Sequence, residues 1–162
     1  MTQIIKDKSI IENEWTTVAD DASIPAGKVI VSLDRWNEEH EALSAKRAAG
    51  ELGIQLRSEQ TADLIADQAN DFALIAVEFP KFADGRGYSA ARLLRERFGF
   101  KGELRAVGDV LHDQLFFMDR CGFNAMDMRQ DQDLALAEQA FKTFSEPYQA
   151  GVSDPRPLYR RR

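Results

Sequence analysis

The stretch Gly85-Arg86-Gly87-Tyr88-Ser89-Ala90 brings together two glycines, a cation and two hydroxyls. It follows an apolar run and precedes a helical pattern, so it has the G-x-G-x-x-A outline of a dinucleotide loop. Five residues, Pro80 to Asp84, separate that run from the first glycine. In the dinucleotide turn the glycine follows the strand almost directly. A less demanding chemistry needs only a helix start. The first amides of a helix lack intrahelical partners and carry partial positive charge. Arg86 adds a full charge, Gly87 lets a ligand reach the backbone, and Tyr88 and Ser89 add donors. This set suits a small oxyanion such as phosphate, sulfate or sulfite. The same residue types also serve simple capping, with Asp84 or Ser89 as the cap.

Other charged residues fall where strands should end: Asp34, Arg35, Arg57, Glu78, Asp109 and Arg129. Ligands of parallel α/β folds bind beyond the carboxyl ends of the strands. Glu78, Asp84, Asp109 and Arg129 are therefore candidates for the rim of a site built on Arg86–Ser89. Solvated strand ends carry such residues without any function.

Nucleophilic and metal chemistry finds less support. Cys121 is the single cysteine, which excludes an internal disulfide and a cysteine-based zinc or iron–sulfur centre within one chain. It closes a helical pattern, where the helix dipole disfavours a thiolate, and reads as a buried structural thiol. His112 lies nine positions earlier, about 900° around a helix, so the two face apart. His40 sits in a charged EEHE run. No metal-ligand spacing and no Ser–His–Asp order is visible.

The elements that would position these residues alternate. Short strand-like patches, QII, SII and WTTV, suggest a small N-terminal β meander. Strands are then expected at Val29–Leu33, Ile54–Leu56, Phe72–Phe79, Glu103–Val107 and Ala125–Arg129. Helices are expected at 37–49, 61–70, 88–98, 110–121 and 134–144, with Asp109 capping the fourth and Gly122 ending it. Strand and helix alternate at roughly 25-residue spacing, the signature of right-handed βαβ units. The fold class is α/β with a parallel sheet, either open or a partial (β/α) barrel. One domain is expected over 1–145 and an irregular tail over 146–162, where Pro-rich sequence ends in YRRR.

Bulk properties narrow the partners. The chain has 162 residues, 44% hydrophobic and 30% charged, typical of a globular domain. A net charge of −6 disfavours general nucleic-acid binding. No run reaches the length of a membrane span, and the N-terminus lacks a signal-peptide pattern. A reducing cytoplasm is the expected location.

The segment FPKFADGRGYSAARLLRERFGFKGELRAVGDVLHDQLFFMDRCGF, with LDRW upstream, resembles a family of small bacterial proteins of unknown function. Their genes neighbour that of sulfite reductase, and they are described as oxidoreductases of sulfite reduction. The resemblance runs from about Val29 to Phe144. It is densest through Asp84–Ser89, Gly108, Asp109, Asp113, Gln114 and Arg120–Gly122. It implies a cytoplasmic role in assimilatory sulfite reduction, with sulfite reductase or its electron donor as partner and a homo-oligomer compatible with it. It assigns no catalytic residue and no cofactor. Three readings stay open: an oxyanion-binding accessory protein, a nucleotide-dependent oxidoreductase using the glycine loop, and a non-catalytic module that docks on the reductase.

Overall fold

In the computed structural model the described residues are 2–80 and 85–143. The candidate Asp84 and the expected tail over 146–162 lie outside them.

Eight strands form one mixed sheet: β1 (Gln3–Lys6), β2 (Ser9–Glu12), β3 (Thr16–Thr17), β4 (Val29–Ser32), β5 (Leu52–Leu56), β6 (Leu74–Phe79), β7 (Glu103–Gly108) and β8 (Ala125–Met126). Their order is β2-β1-β8-β7-β6-β5-β4-β3. From β3 to β8 every neighbouring pair is parallel. The helices are α1 (Leu33–Ala48), α2 (Arg86–Arg92), α3 (Leu115–Cys121) and α4 (Leu134–Thr143), with a 3-10 helix at Ala62–Asp71. After α2 the chain continues as a π-helical turn, Leu93–Arg97.

Two expectations are corrected. The sheet is not purely parallel, because β1 pairs antiparallel with both β2 and β8. Nor do the first strands form a separate meander. The hairpin β1–β2 extends one edge of the main sheet, whereas β3 joins the far edge, parallel to β4. A two-residue strand has too little pattern for its partner to be read locally.

That arrangement forces curvature. Only Asn13, Glu14 and Trp15 join β2 at one edge to β3 at the other, a reach of roughly 14 Å. A flat eight-strand sheet would separate those edges by roughly 34 Å. The sheet therefore curls into a half-barrel. Successive parallel strands are neighbours, so each right-handed crossover steps the same way and leaves its helix on the same face.

The two faces differ accordingly. The convex face carries Val29, Val31, Ile54, Ile75, Val77, Phe79 and Leu104, which share the main core with Trp36, Ile65, Leu94, Leu115 and Met118 from the helices. The concave face holds a smaller cluster of Ile30, Leu74 and Ala76, with Trp15 and Val107 packed against it. In register with these, Glu103 pairs with Leu74 and Arg105 with Ala76. Arg105 is only 2% exposed. Its Nε and Nη2 donate to Glu103 Oε1 at 2.9 and 2.7 Å, while Lys6 Nζ lies 3.2 Å from Glu103 Oε2.

Candidate functional site

At the carboxyl ends of the strands, side chains gather in two groups. The first spans the ends of β4, β5 and β6. Ser32 caps α1, its Oγ accepting from the Arg35 amide at 3.1 Å, and this sets Asp34 in the first turn, where its charge complements the helix dipole. Asp34 accepts from the Arg57 guanidinium and from Gln60 Nε2 at 3.2 Å. Arg57 Nε also lies 3.2 Å from Glu59 Oε1. One residue further, Ser58 Oγ accepts from Arg86 Nη2 at 3.1 Å. The start of α2 is thus tied to the loop that leaves β5.

The second group spans β7 and β8. Arg129 donates through Nη1 to Asp109 Oδ1 at 2.8 Å and through Nε and Nη2 to Asp131 at 2.6 and 2.8 Å. The carboxylates of Asp131, then Asp109, push the Arg129 guanidinium further up, and Arg129 in turn lowers the Asp131 carboxyl. Asp109 does not cap the following helix, as its position suggested. Its carboxylate is held by Arg129, and the helical turn starts later, where Gln114 Oε1 accepts from the Leu111 amide at 3.2 Å. Among the described residues no hydrogen bond or ion pair joins the two groups. Arg35 leaves the rim for the interior, donating to the Ala19 carbonyl at 2.7 Å.

The glycine loop is used differently from its sequence outline. Gly87 is buried, and a Cβ built on it would lie 2.6 Å from Phe79 Cζ. The missing side chain admits the Phe79 ring, so α2 can pack onto the end of β6. Tyr88 joins the same aromatic stack, with ring centroids 5.0 Å from Phe79 and 4.7 Å from Phe117. Burial, with a smaller contribution from nearby Cys121, pushes its phenol up. The Tyr88 amide is engaged with the Gly85 carbonyl at 3.3 Å. Of the four loop candidates, Arg86 and Ser89 are exposed to solvent.

Two residues that sequence reasoning passed over belong in this account. Ser58 follows the end of β5, and its serine type was the only signal. Asp127 extends β8, its amide donating to the Ala106 carbonyl at 2.9 Å, so it follows Ala125 on the concave face. Desolvation raises its carboxyl and Arg105 partly offsets this. Glu78, half-buried, stands on the same face, two strands away across Val107.

Cys121 is fully buried, and burial pushes its thiol up despite the opposing pull of Arg92 and Arg120. His112 is exposed, with Nδ1 2.9 Å from Gln132 Oε1 and Nε2 3.0 Å from Asp113 Oδ1. Among the described residues no group of three His, Cys, Asp or Glu side chains is placed to hold a metal ion, and no helix is long and apolar enough to cross a membrane.

These features define an α/β protein with a curled, singly wound sheet and a charged carboxyl rim. Residues 53–159 match the family described as bacterial protein of unknown function (DUF934), and the chain belongs to that family. No curated protein and no solved structure matches it.

Proposed function

We propose that this protein is a cytoplasmic accessory factor of assimilatory sulfite reduction that holds a small oxyanion at the carboxyl rim, beside Arg86. The pathway comes from the resemblance set out above. The ligand class comes from the rim. The observation that carries it is the Arg86–Ser58 hydrogen bond at 3.1 Å, which sets an exposed guanidinium and a hydroxyl side by side at neighbouring strand ends, with Arg57 the residue before Ser58 in the chain. Guanidinium groups match the geometry of an oxyanion, and a serine hydroxyl can donate to it. In this reading the protein presents the anion to the reductase or its donor and carries no electrons itself. The nucleotide reading gains nothing from Gly87, because the space left by its missing side chain is filled by the Phe79 ring.

Calorimetric titration with sulfite, sulfate and phosphate tests the site. Binding to the wild-type chain that weakens at least about tenfold in Arg86→Ala, and measurably in Ser58→Ala, is the expected result. Undiminished binding in Arg86→Ala, or no binding of any of the three anions, overturns it.

A further inference from the structure

A cavity lies at the end of the sheet opposite the rim. It has a volume of about 390 Å³ and sits between the β1–β2 turn, the end of α3 and the start of β8. Its floor is apolar: Phe123, Met126 and Phe141 line it and are themselves 1%, 2% and 6% exposed. Its walls are charged, with Asp7, Lys8, Arg95 and Asp119.

Arg95 is held in place by the backbone. Its Nε donates to the Gly122 carbonyl at 2.9 Å, and Nη1 donates to the carbonyls of Phe100 and Gly102 at 2.8 and 2.9 Å. The guanidinium lies over the Phe100 ring, 5.4 Å from its centroid. Nη2 makes no hydrogen bond to a described residue. The result is a fixed cation with donors to spare. Burial lowers its pKa, which Asp7 opposes, so the charged form is under-solvated where it stands.

The turn adds a second observation. Asp7 and Lys8 both have left-handed backbones, φ 51° and 69°. Two-residue hairpins of this kind favour Asn or Asp followed by Gly, so Asp7 suits the turn, whereas a lysine in the left-handed region is strained. Here the chain keeps an ammonium at the position that favours glycine, beside the cavity. Lys8 Nζ lies 4.0 Å from Asp119 Oδ2. Local strain of this sort is retained where side-chain identity matters more than turn stability.

Two cations and two carboxylates thus surround an apolar floor. The four wall charges sum to zero, so a ligand carrying both signs can share partners with them, whereas a singly charged ligand adds a charge that nothing offsets. We infer that this cavity binds a small amphipathic zwitterion, a free α-amino acid with an apolar side chain. The carboxylate meets Arg95 and Lys8, the ammonium meets Asp7, and the side chain rests on Phe123, Met126 and Phe141. The volume falls in the lower part of the range of small-molecule sites, about 300–1,000 Å³. The site lies away from Arg86, so its test is independent of the oxyanion reading.

The probe is L-phenylalanine, titrated into the full chain by calorimetry and by NMR of the Met126 methyl group. Two analogues, 3-phenylpropanoate and phenethylamine, each lack one charge. Asp7→Asn and Lys8→Gly remove one charge each while installing the residues the turn prefers, so neither variant endangers the fold. L-Phenylalanine is expected to shift the Met126 methyl and to bind about tenfold or more tighter than either analogue, and each variant to weaken it by about fivefold or more without lowering Tm. No shift at about 10 mM probe, equal binding of the analogues, or unchanged binding in both variants overturns the assignment.

Discussion

Arg105 Nη1 donates to Asn13 Oδ1 at 2.9 Å across 92 positions of sequence, and this bond ties β7 to the three residues that link the two edges of the sheet. Asn13 Oδ1 also accepts from the Trp15 amide at 3.1 Å, which turns the chain so that Trp15 packs on the concave cluster. The Asn13 amide donates to the Thr2 carbonyl at 2.9 Å. One amide side chain therefore receives a buried cation, shapes the link and helps hold the curl. Curvature in turn sets the spacing of the strand ends on which the rim residues stand.

Removing Arg105 alone should be costly. Arg105→Met leaves Glu103 buried with only Lys6 as a charged partner, and leaves Asn13 Oδ1 with only the Trp15 amide as donor. A loss of about 3 kcal/mol is expected from stranding one member of a buried pair. Replacing both, Arg105→Met with Glu103→Leu, removes the stranded charge as well, so the double variant should be more stable than Arg105→Met. Urea midpoints of the three proteins check this. A double variant that is weaker than the single would show that Glu103 has a role of its own with Lys6.

Gly87 and Gly108 both meet Phe79, but through different atoms, and their substitutions should respond differently. A Cβ at Gly87 would meet the far end of the ring, at 2.6 Å from Cζ, whereas a Cβ at Gly108 would meet the Phe79 carbonyl oxygen at 2.5 Å. Gly108 also has φ +95°, which a side chain resists. Gly87→Ala is expected to cost about 1–3 kcal/mol by overpacking. Adding Phe79→Leu should recover part of that cost. Gly108→Ala should be more destabilising and should gain nothing from Phe79→Leu, because backbone cannot be trimmed. Thermal melts of the four variants distinguish the two cases.

The strands were the most legible part of the sequence, and the use of particular residues the least. Phe72–Phe79 reads as a strand because both faces of β6 are covered, by helices on one side and by the curled sheet on the other, so its apolar run is nearly unbroken. Thr16–Thr17 cannot be assigned to an edge locally, since its partner β4 is fixed by the link and the curl. The loop Gly85–Ala90 was legible as a helix start after a strand. That Gly87 serves ring packing depends on Phe79, eight positions earlier but brought back by the fold. Arg105 sits mid-strand as a charge, which reads as a solvated face. Its burial follows from Asn13, a contact that no local pattern announces.

Cys121 offers a test of the buried face of α3. Its thiol is buried and pushed up, so the thiolate that would react is scarce at neutral pH. Native protein mixed with an aromatic disulfide reagent at pH 8 should label far more slowly than protein in urea, which should give one equivalent at once. Labelling at the same rate in both states would mean that α3 opens readily from the sheet.

Asp127 makes the pH dependence of stability a test of the concave face. Its carboxyl is raised above the ordinary 3.8, chiefly by desolvation, with Arg105 acting the other way. A raised acid binds its proton more tightly in the folded chain than in the unfolded one. Its contribution is therefore fully present below the unfolded value and falls as pH rises from about 3.8 through the folded value. Asp127→Asn cannot ionise and lacks this loss. The stability of Asp127→Asn relative to wild type should rise from pH 3 toward neutrality and level off above the folded pKa. Urea unfolding at several pH values measures the difference directly. A difference that instead shrinks toward pH 7 would mean that attraction to Arg105 outweighs desolvation, and that the Arg105–Glu103 pair leaves part of its charge to Asp127.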